Sequence, residues 1–275
     1  MKNLKNKVIA LTGAASGIGR SLAIKLAENG CHLSIADVDE QGLKDTLELL
    51  PKGSKASIHI VDVANRERVY SWAEEVVKEH GYVDCIINNA GVTSSMTIED
   101  ISYEDFNWVF NIDFYGVLYG TKAFLPYLKQ RPDAHIVNIS SVNGFLTLPT
   151  IAPYNCAKHA VKALNQTLMQ ELRNTSVNIT SVHPGGIKTN IVRNSRHPQE
   201  DISGGAAQKR IRVFDQIAGT TPEKAADIII KGILKNRKRQ LVGIDAVVID
   251  ILCRIMPQAF STFMGLRFER IMKGK

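Results

Sequence analysis

The chain has little that would make it a membrane-spanning, disulfide-stapled or metal-bound protein. Its most apolar C-terminal stretches are cut by Asp245, Asp250, Arg254 and Arg267, so none is long enough to cross a bilayer. Cysteine is scarce. Cys31, Cys85, Cys156 and Cys253 stand far apart with no pair at metal-ligand spacing, which leaves buried free thiols in a reducing cytoplasm as the expectation. Low-complexity segments and internal repeats are missing, which argues against disorder and solenoids. Met1–Lys7 carries charge but has no apolar region or cleavage site behind it, so no signal peptide is expected. Tryptophan occurs only at positions 72 and 108, on amphipathic segments that read as core or interface. The basic run Lys235-Asn236-Arg237-Lys238-Arg239 is short and lacks interleaved aromatics, so nucleic acid is not an expected partner despite a pI near 9.2. What remains, at 275 residues and 44% hydrophobic, is one large domain with a substantial core.

What is present is an alternation of short apolar runs and helical patterns. Strands are predicted near Val8–Leu11, Leu33–Asp37, Ser57–Asp62, Val83–Asn88, His135–Ser140, Asn178–His183 and Gln240–Val242. Helices are predicted at Gly17–Asn29, Glu40–Leu49, Arg66–Glu79, Tyr103–Leu125, Tyr154–Arg173 and Pro222–Asn236. Strands separated by such helices imply right-handed crossovers: an α/β fold, a single doubly wound parallel sheet of about seven strands with helices on both faces. Ligands of such sheets bind outside the carboxyl ends of the strands. The expected catalytic domain is residues 1–245, with 246–275 as a basic extension.

Two local patterns carry chemistry. The first strand runs into Thr12-Gly13-Ala14-Ala15-Ser16-Gly17-Ile18-Gly19, and a helix follows. Strand, glycine turn and helix together aim backbone N–H groups and a helix N-terminus at a pyrophosphate. The second strand ends on Asp37, eighteen residues after Gly19. A carboxylate there accepts hydrogen bonds from the ribose hydroxyls of an adenosine and repels a 2′-phosphate, so NAD is expected rather than NADP. Arg20, just past the turn, reads as closing the helix start rather than as a phosphate ligand. The second pattern is Tyr154-Asn155-Cys156-Ala157-Lys158. Four residues apart, the phenol and the ammonium share one helical face, and the positive charge favours the phenolate. The expectation is a tyrosine acidified enough to move protons near neutral pH.

Taken together, these elements resemble the short-chain dehydrogenase/reductase family over roughly residues 5 to 245. Thr12, Gly13, Gly17 and Gly19 match its Thr-Gly-x-x-x-Gly-x-Gly motif. The resemblance implies an acid of the adenine pocket at Asp62, followed by Val63, and an Asn-Asn-Ala-Gly turn at Asn88, Asn89, Ala90 and Gly91. It also implies a catalytic tetrad of Asn111, Ser141, Tyr154 and Lys158, Ser141 being the serine thirteen residues before the tyrosine. Pro184, Gly185, Ile187 and Thr189 would contact the nicotinamide end, and Ser16 and Ile18 would also hold the cofactor. The implied reaction moves a hydride between an alcohol carbon and a nicotinamide. Tyr154 would be the acid/base, Lys158 would lower its pKa, Ser141 would hold the substrate oxygen, and Asn111 would hold a relay water. The family also implies a homodimer or homotetramer.

Phe145, Leu146, Leu148 and Ile151, between Ser141 and Tyr154, are expected with Met96 to border the reacting carbon, favouring a bulky hydrophobic alcohol or ketone. The long polar segment 188–219, with a hinge at Gly204-Gly205, is the expected lid. Residues 231–275 hold ten basic and three acidic residues, the whole net charge of +7, beside Met256, Phe260, Phe263, Leu266 and Phe268. Such a tail suits packing, a subunit contact or peripheral attachment to an anionic membrane. Two rival readings are an NADP-dependent carbonyl reductase and a non-catalytic NAD-binding sensor or scaffold. The retained tetrad argues against the latter.

Overall fold

The computed structural model describes residues 1–203 and 205–273. Seven strands form one parallel sheet in the order β3-β2-β1-β4-β5-β6-β7. They are β1 (Val8–Thr12), β2 (His32–Asp37), β3 (Ala56–Ile60), β4 (Cys85–Asn88), β5 (Ala134–Ile139), β6 (Val177–Pro184) and β7 (Arg239–Val242). The order reverses direction between β1 and β4, and that switch point is where an open α/β sheet leaves a crevice for a ligand. The helices α1 (Gly17–Glu28), α2 (Glu40–Glu48), α3 (Arg66–His80) and α4 (Tyr103–Phe110) come first in the chain. A π-helical turn at Asn111–Tyr115 joins α4 to α5 (Gly116–Leu128), and α6 is Ala152–Glu171.

Alternation along the strands builds two cores. Ile9, Leu11 and Ile35 face one side and pack with Leu22 and Leu26 of α1, Leu43 of α2, and Ile229 and Ile233. Val8, Ala10, Ile86 and Ile136 face the other side, against Val69, Trp72, Phe124 and Leu168. Trp72 is fully buried, meets Phe124 edge-on at 5.0 Å, and donates its indole N–H to Ser34 Oγ at 3.0 Å. Asp39, Asn65 and Ser102 cap α2, α3 and α4 by accepting backbone N–H bonds.

One departure from the sequence reading concerns the second half of the chain. The segment expected as a polar loop holds two helices, α7 (Gln199–Ser203) and α8 (Ala206–Ile217), before α9 (Pro222–Leu234). Gly205 has φ +77, the left-handed conformation glycine tolerates, while Gly204 lies outside the described residues. Beyond β7 come α10 (Ile244–Ile255) and α11 (Pro257–Lys273). Arg239 of β7 pairs with Asp250, which also holds Arg254. The outer face of α10 leaves Ile244, Val247, Val248, Ile251 and Ile255 exposed. Among the described residues no helix is long and apolar enough to cross a membrane. Cys31 and Cys85 are buried free thiols, as expected, whereas Cys253 is half-buried and Cys156 exposed.

Two buried imidazoles make stability pH-dependent. Burial pushes the pKa of His135 from 6.5 down to about 3 and that of His183 down to about 4. Both are therefore neutral when folded, while the unfolded chain takes up their protons below about pH 6.5. Stability from these groups is complete above that pH and is lost as pH falls towards the folded values. Two such histidines remove about 3 kcal/mol between pH 6.5 and 5. Denaturant unfolding at pH 7 and pH 5 is expected to show that loss. An unchanged midpoint would contradict it.

Candidate active site

The site assembles where the strands end. After β1 the chain turns through Gly13 (φ +69) and Gly17 (φ +54), conformations that side chains other than glycine rarely adopt. Ser16 stands before α1 in an extended conformation and makes no side-chain cap. The first N–H groups of α1, at Gly17, Ile18 and Gly19, thus lack an intrahelical or capping partner, as an anion-binding helix start requires. A cradle of this kind fits a dinucleotide. A Cβ on Gly13 would lie 2.8 Å from Ala90 Cα, and one on Gly17 would lie 3.2 Å from Thr189 Cγ2. Arg20 turns away from the cradle. It donates to Thr46 Oγ1 (3.0 Å) and to the carbonyls of Gly42 (3.2 Å) and Ala15.

The turn after β4 is tied to the glycine turn. Asn89 and Ala90 donate their backbone N–H groups to Thr12 Oγ1 at 3.0 and 3.1 Å, and Asn89 Nδ2 donates to the carbonyls of Thr12 and Gly13. Asp37, half-buried at the end of β2, accepts from Ala15 N at 2.9 Å and from Val38 N at 2.8 Å. Its carboxylate therefore fixes the glycine turn. Asp62 follows β3, exposed, and accepts from Ala64 N. Val63 is buried under Gly116, where a Cβ would lie 2.8 Å from its Cγ2. Pro184 ends β6 and Gly185 follows it, and Asp245 accepts from Gly186 N at 2.6 Å. Ile187 bridges to Thr220.

Tyr154 and Lys158 sit on α6 as read from the sequence, with the ammonium 5.4 Å from the centre of the phenol ring. Ser141 lies near enough to the Tyr154 phenol to lower its pKa. Of the neighbouring serines, Ser140 donates its Oγ hydrogen to the Lys158 carbonyl at 2.9 Å, and Ser141 Oγ accepts from Asn143 N at 3.1 Å. Asn143 and Asn155 hold the intervening loop to α6.

The fourth tetrad position needs correcting. Asn111 is exposed, and the side chain that reaches Lys158 is that of Asp113, 3.0 Å from Nζ. Two residues along a helical turn point to nearly opposite faces, so only one of the pair can look towards α6. Asp113 is fully buried and Lys158 is 3% exposed. Burial works against both charges and holds the Asp113 pKa above its ordinary 3.8, while the contact with Lys158 pulls it back and lets the two coexist as ions. Burial alone would depress Lys158, but Asp113 and Tyr154 outweigh it, and its pKa lies above the ordinary 10.5. The acidified tyrosine expected from the sequence is not found in this state. Burial raises the Tyr154 pKa, Lys158 pulls it down, Asp113 pushes it up, and the net direction is above 10.0.

A buried hydrogen-bond chain, invisible in the sequence, steadies Ser141. Asn88 Nδ2 donates to Asn138 Oδ1 (2.7 Å), Asn138 Nδ2 to Asn165 Oδ1 (2.7 Å) and Asn165 Nδ2 to Ser181 Oγ (2.9 Å). Ser181 then lies 3.0 Å from His183 Nε2, and His183 Nδ1 lies 3.0 Å from the Ser141 carbonyl. The carbonyl only accepts, so the neutral ring carries its proton on Nδ1, and every donor in the chain points the same way. His183 is thus a support of Ser141, and its lowered pKa keeps that tautomer.

Of the expected apolar lining, Met96 and Ile151 pair as an isolated bridge and Leu146 is buried. Phe145 instead packs against His183, ring centres 5.4 Å apart. It lines a cavity of about 460 Å³ with His159, Lys162, Arg239 and Arg254, whose walls do not include Ser141 or Tyr154. Segment 188–219 is pinned by Arg196, which pairs with Asp105 at 2.8 Å, stacks over Trp108 at 4.0 Å and bridges to Ser94.

A doubly wound sheet with a glycine-turn cradle at its switch point and a serine–tyrosine–lysine cluster beside it defines a Rossmann-type protein. The sequence pattern described as short chain dehydrogenase matches residues 7–200, and the chain belongs to that family. It is 38% identical over 270 residues to the putative oxidoreductase SadH of Mycobacterium tuberculosis, covering 96% of each chain. It is 31% identical over 280 residues to dehydrogenase/reductase SDR family member 7B of Xenopus tropicalis, covering 99% of this chain and 89% of that one. A short chain dehydrogenase/reductase from Burkholderia phymatum, solved in complex with NAD, superposes with a TM-score of 0.83 at 30% identity, covering 90% of this chain and 92% of the other. The coarse class is thereby an oxidoreductase.

Proposed function

We propose that this oxidoreductase interconverts a secondary alcohol and its ketone, the substrate being bulky and hydrophobic, with NAD(H) as cofactor. The observation that carries the reading is the Ser141–Tyr154–Lys158 cluster opening beside the uncapped start of α1. Gly13, Ser16, Gly17, Ile18, Gly19, Asp37, Asp62, Val63, Asn89, Ala90, Gly91, Pro184, Gly185, Ile187 and Thr189 would hold the cofactor. Bound there, it supplies or accepts the hydride. Tyr154 gives its proton to the carbonyl oxygen in reduction and takes it back in oxidation. Ser141 donates a hydrogen bond to the same oxygen, which is worth most as charge builds there. Lys158 orients the phenol, and the 188–219 segment covers the substrate side. The NAD complex of the Burkholderia phymatum relative supports NAD for this chain too. A panel of hydrophobic ketones with NADH and NADPH, followed by loss of reduced-cofactor absorbance, tests the reaction. No turnover across the panel would overturn it.

Cofactor choice is expected to rest on Asp37. Its replacement, Asp37→Ala, removes both the ribose acceptor and the charge that repels a 2′-phosphate. NAD affinity is expected to fall about tenfold or more and NADP affinity to rise, read as dissociation constants by cofactor fluorescence. Part of the loss will come from the freed Ala15 N–H, so the ratio of the two constants is the deciding quantity. A parent protein that already prefers NADP would refute the assignment.

A further inference from the structure

We propose, resting on the reading of Tyr154 as the proton carrier, that Asp113 is a positioning residue which neutralises Lys158 and keeps the Tyr154 phenol protonated. It thereby sets the site to give a proton to a carbonyl at neutral pH rather than to take one from an alcohol. The geometry is that of a built pair. The Asp113 carboxylate lies 3.0 Å from the ammonium and is fixed by the backbone N–H of Val92, which donates to Oδ1 at 2.7 Å. Gly91 leaves room for it, since a Cβ there would stand 3.3 Å from Lys158 Nζ and 3.4 Å from both carboxylate oxygens.

Charge counting gives the consequence. With an ammonium alone, ionising the phenol takes the buried cluster from +1 to neutral, which favours ionisation. With the carboxylate present the cluster is already neutral, and ionising the half-buried phenol leaves a net negative charge beside two buried groups, which disfavours it. Groups on the neighbouring elements do not reverse this. The loop after β4 offers only the Val92 N–H, and the turn after β5 offers Ser141 and Asn143. Behind that turn, His183 of β6 is neutral at neutral pH, and His159 of α6 is turned to the Asn155 carbonyl. In the reductive direction the nicotinamide ring is uncharged as well, so the protein's own charges decide. The overall equilibrium is untouched; what changes is the pH range over which each direction runs.

The test reads the phenol itself. Tyrosinate ultraviolet absorbance is titrated in the cofactor-free protein and in Tyr154→Phe, and the difference isolates Tyr154 from the six other tyrosines. The same subtraction is made in an Asp113→Asn background, in which Val92 keeps an acceptor. The Tyr154 midpoint is expected to move down by about one pH unit or more once the carboxylate is gone. Asp113→Ser, also uncharged and smaller, is expected to shift it in the same direction and serves if the asparagine variant fails to fold. A midpoint that stays put or rises in the folded variants overturns the proposal. In turnover, with acetophenone and 1-phenylethanol as probes, the falling limb of ketone reduction and the rising limb of alcohol oxidation are both expected to move to lower pH by the same amount. Because the absorbance titration needs no turnover, its outcome stands apart from the proposed reaction, which fails instead if Tyr154→Phe keeps full activity.

Discussion

Tyr154→Phe is expected to bind NAD as the parent does and to lose about a thousandfold or more in kcat. The substitution removes one oxygen and nothing else from a ring that stands 5.4 Å from the Lys158 ammonium. Without it no side chain in the cluster both holds and yields a proton at the substrate oxygen. Ser141 donates a hydrogen bond but is far too weak an acid, Lys158 is committed to Asp113, and His183 spends its Nδ1 proton on the Ser141 carbonyl. General acid–base catalysis contributes about 10²- to 10⁴-fold, and the upper part of that range applies where no neighbour substitutes. Steady-state kinetics on a ketone that the parent reduces, together with a cofactor titration, separate the two halves of the expectation. Lost cofactor affinity would mean that the phenol is chiefly structural. Retained turnover would mean that the proton travels by another route. Water in the space of the lost hydroxyl is poorly placed and gives only a small residual rate.

The parts of this site that were legible in the sequence are those whose geometry is local. A strand, a glycine turn and a helix are consecutive, so Gly13, Gly17 and Gly19 declare themselves. Tyr154 and Lys158 share a face by helical spacing alone. The misplacement of Asn111 has a physical cause. The sequence pattern reads as an unbroken helix over Tyr103–Leu125, whereas the chain winds a π turn at Asn111–Tyr115, which takes one extra residue per turn and rotates the faces that follow. The clue was Asp113 itself, the only charged residue between Asp105 and Lys122, set among Phe110, Ile112, Phe114 and Tyr115. A carboxylate in such surroundings needs a buried cation, and Lys158 was the one already singled out. The Asn88–Asn138–Asn165–Ser181–His183 chain was beyond reach, because its members come from segments that only the sheet brings together. Helix α8 was hidden by polarity, although Ala207, Ile211 and Phe214 recur at helical spacing.

Among the described glycines, Gly19→Ala is expected to be the most damaging methyl substitution. Gly19 lies in the first turn of α1 and is not among the glycines with positive φ, so the objection to a side chain there is space rather than backbone conformation. A Cβ would fall 1.9 Å from the carbonyl oxygen of Gly13 and 2.7 Å from Asn89 Nδ2. Both neighbours are constrained: Gly13 sits in a left-handed turn at the end of β1, and Asn89 Nδ2 donates to the carbonyls of Thr12 and Gly13. Relief therefore requires α1 to withdraw from β1, which pulls its first N–H groups out of the cradle and breaks the tie to the Asn89–Gly91 turn. Overpacking of this kind costs about 1–3 kcal/mol or more in stability. The same displacement is expected to weaken cofactor binding about a hundredfold or more, since a shift of 1 Å is large for backbone donors on a phosphate. Gly265→Ala in α11 is the matched control, because a Cβ there meets no atom within 4 Å and alanine favours a helix. Denaturant unfolding and cofactor titration of the two variants are expected to diverge in both readouts. If Gly19→Ala matched Gly265→Ala, the approach of α1 to β1 that shapes the cradle would not exist in solution, and the dinucleotide would have to bind elsewhere.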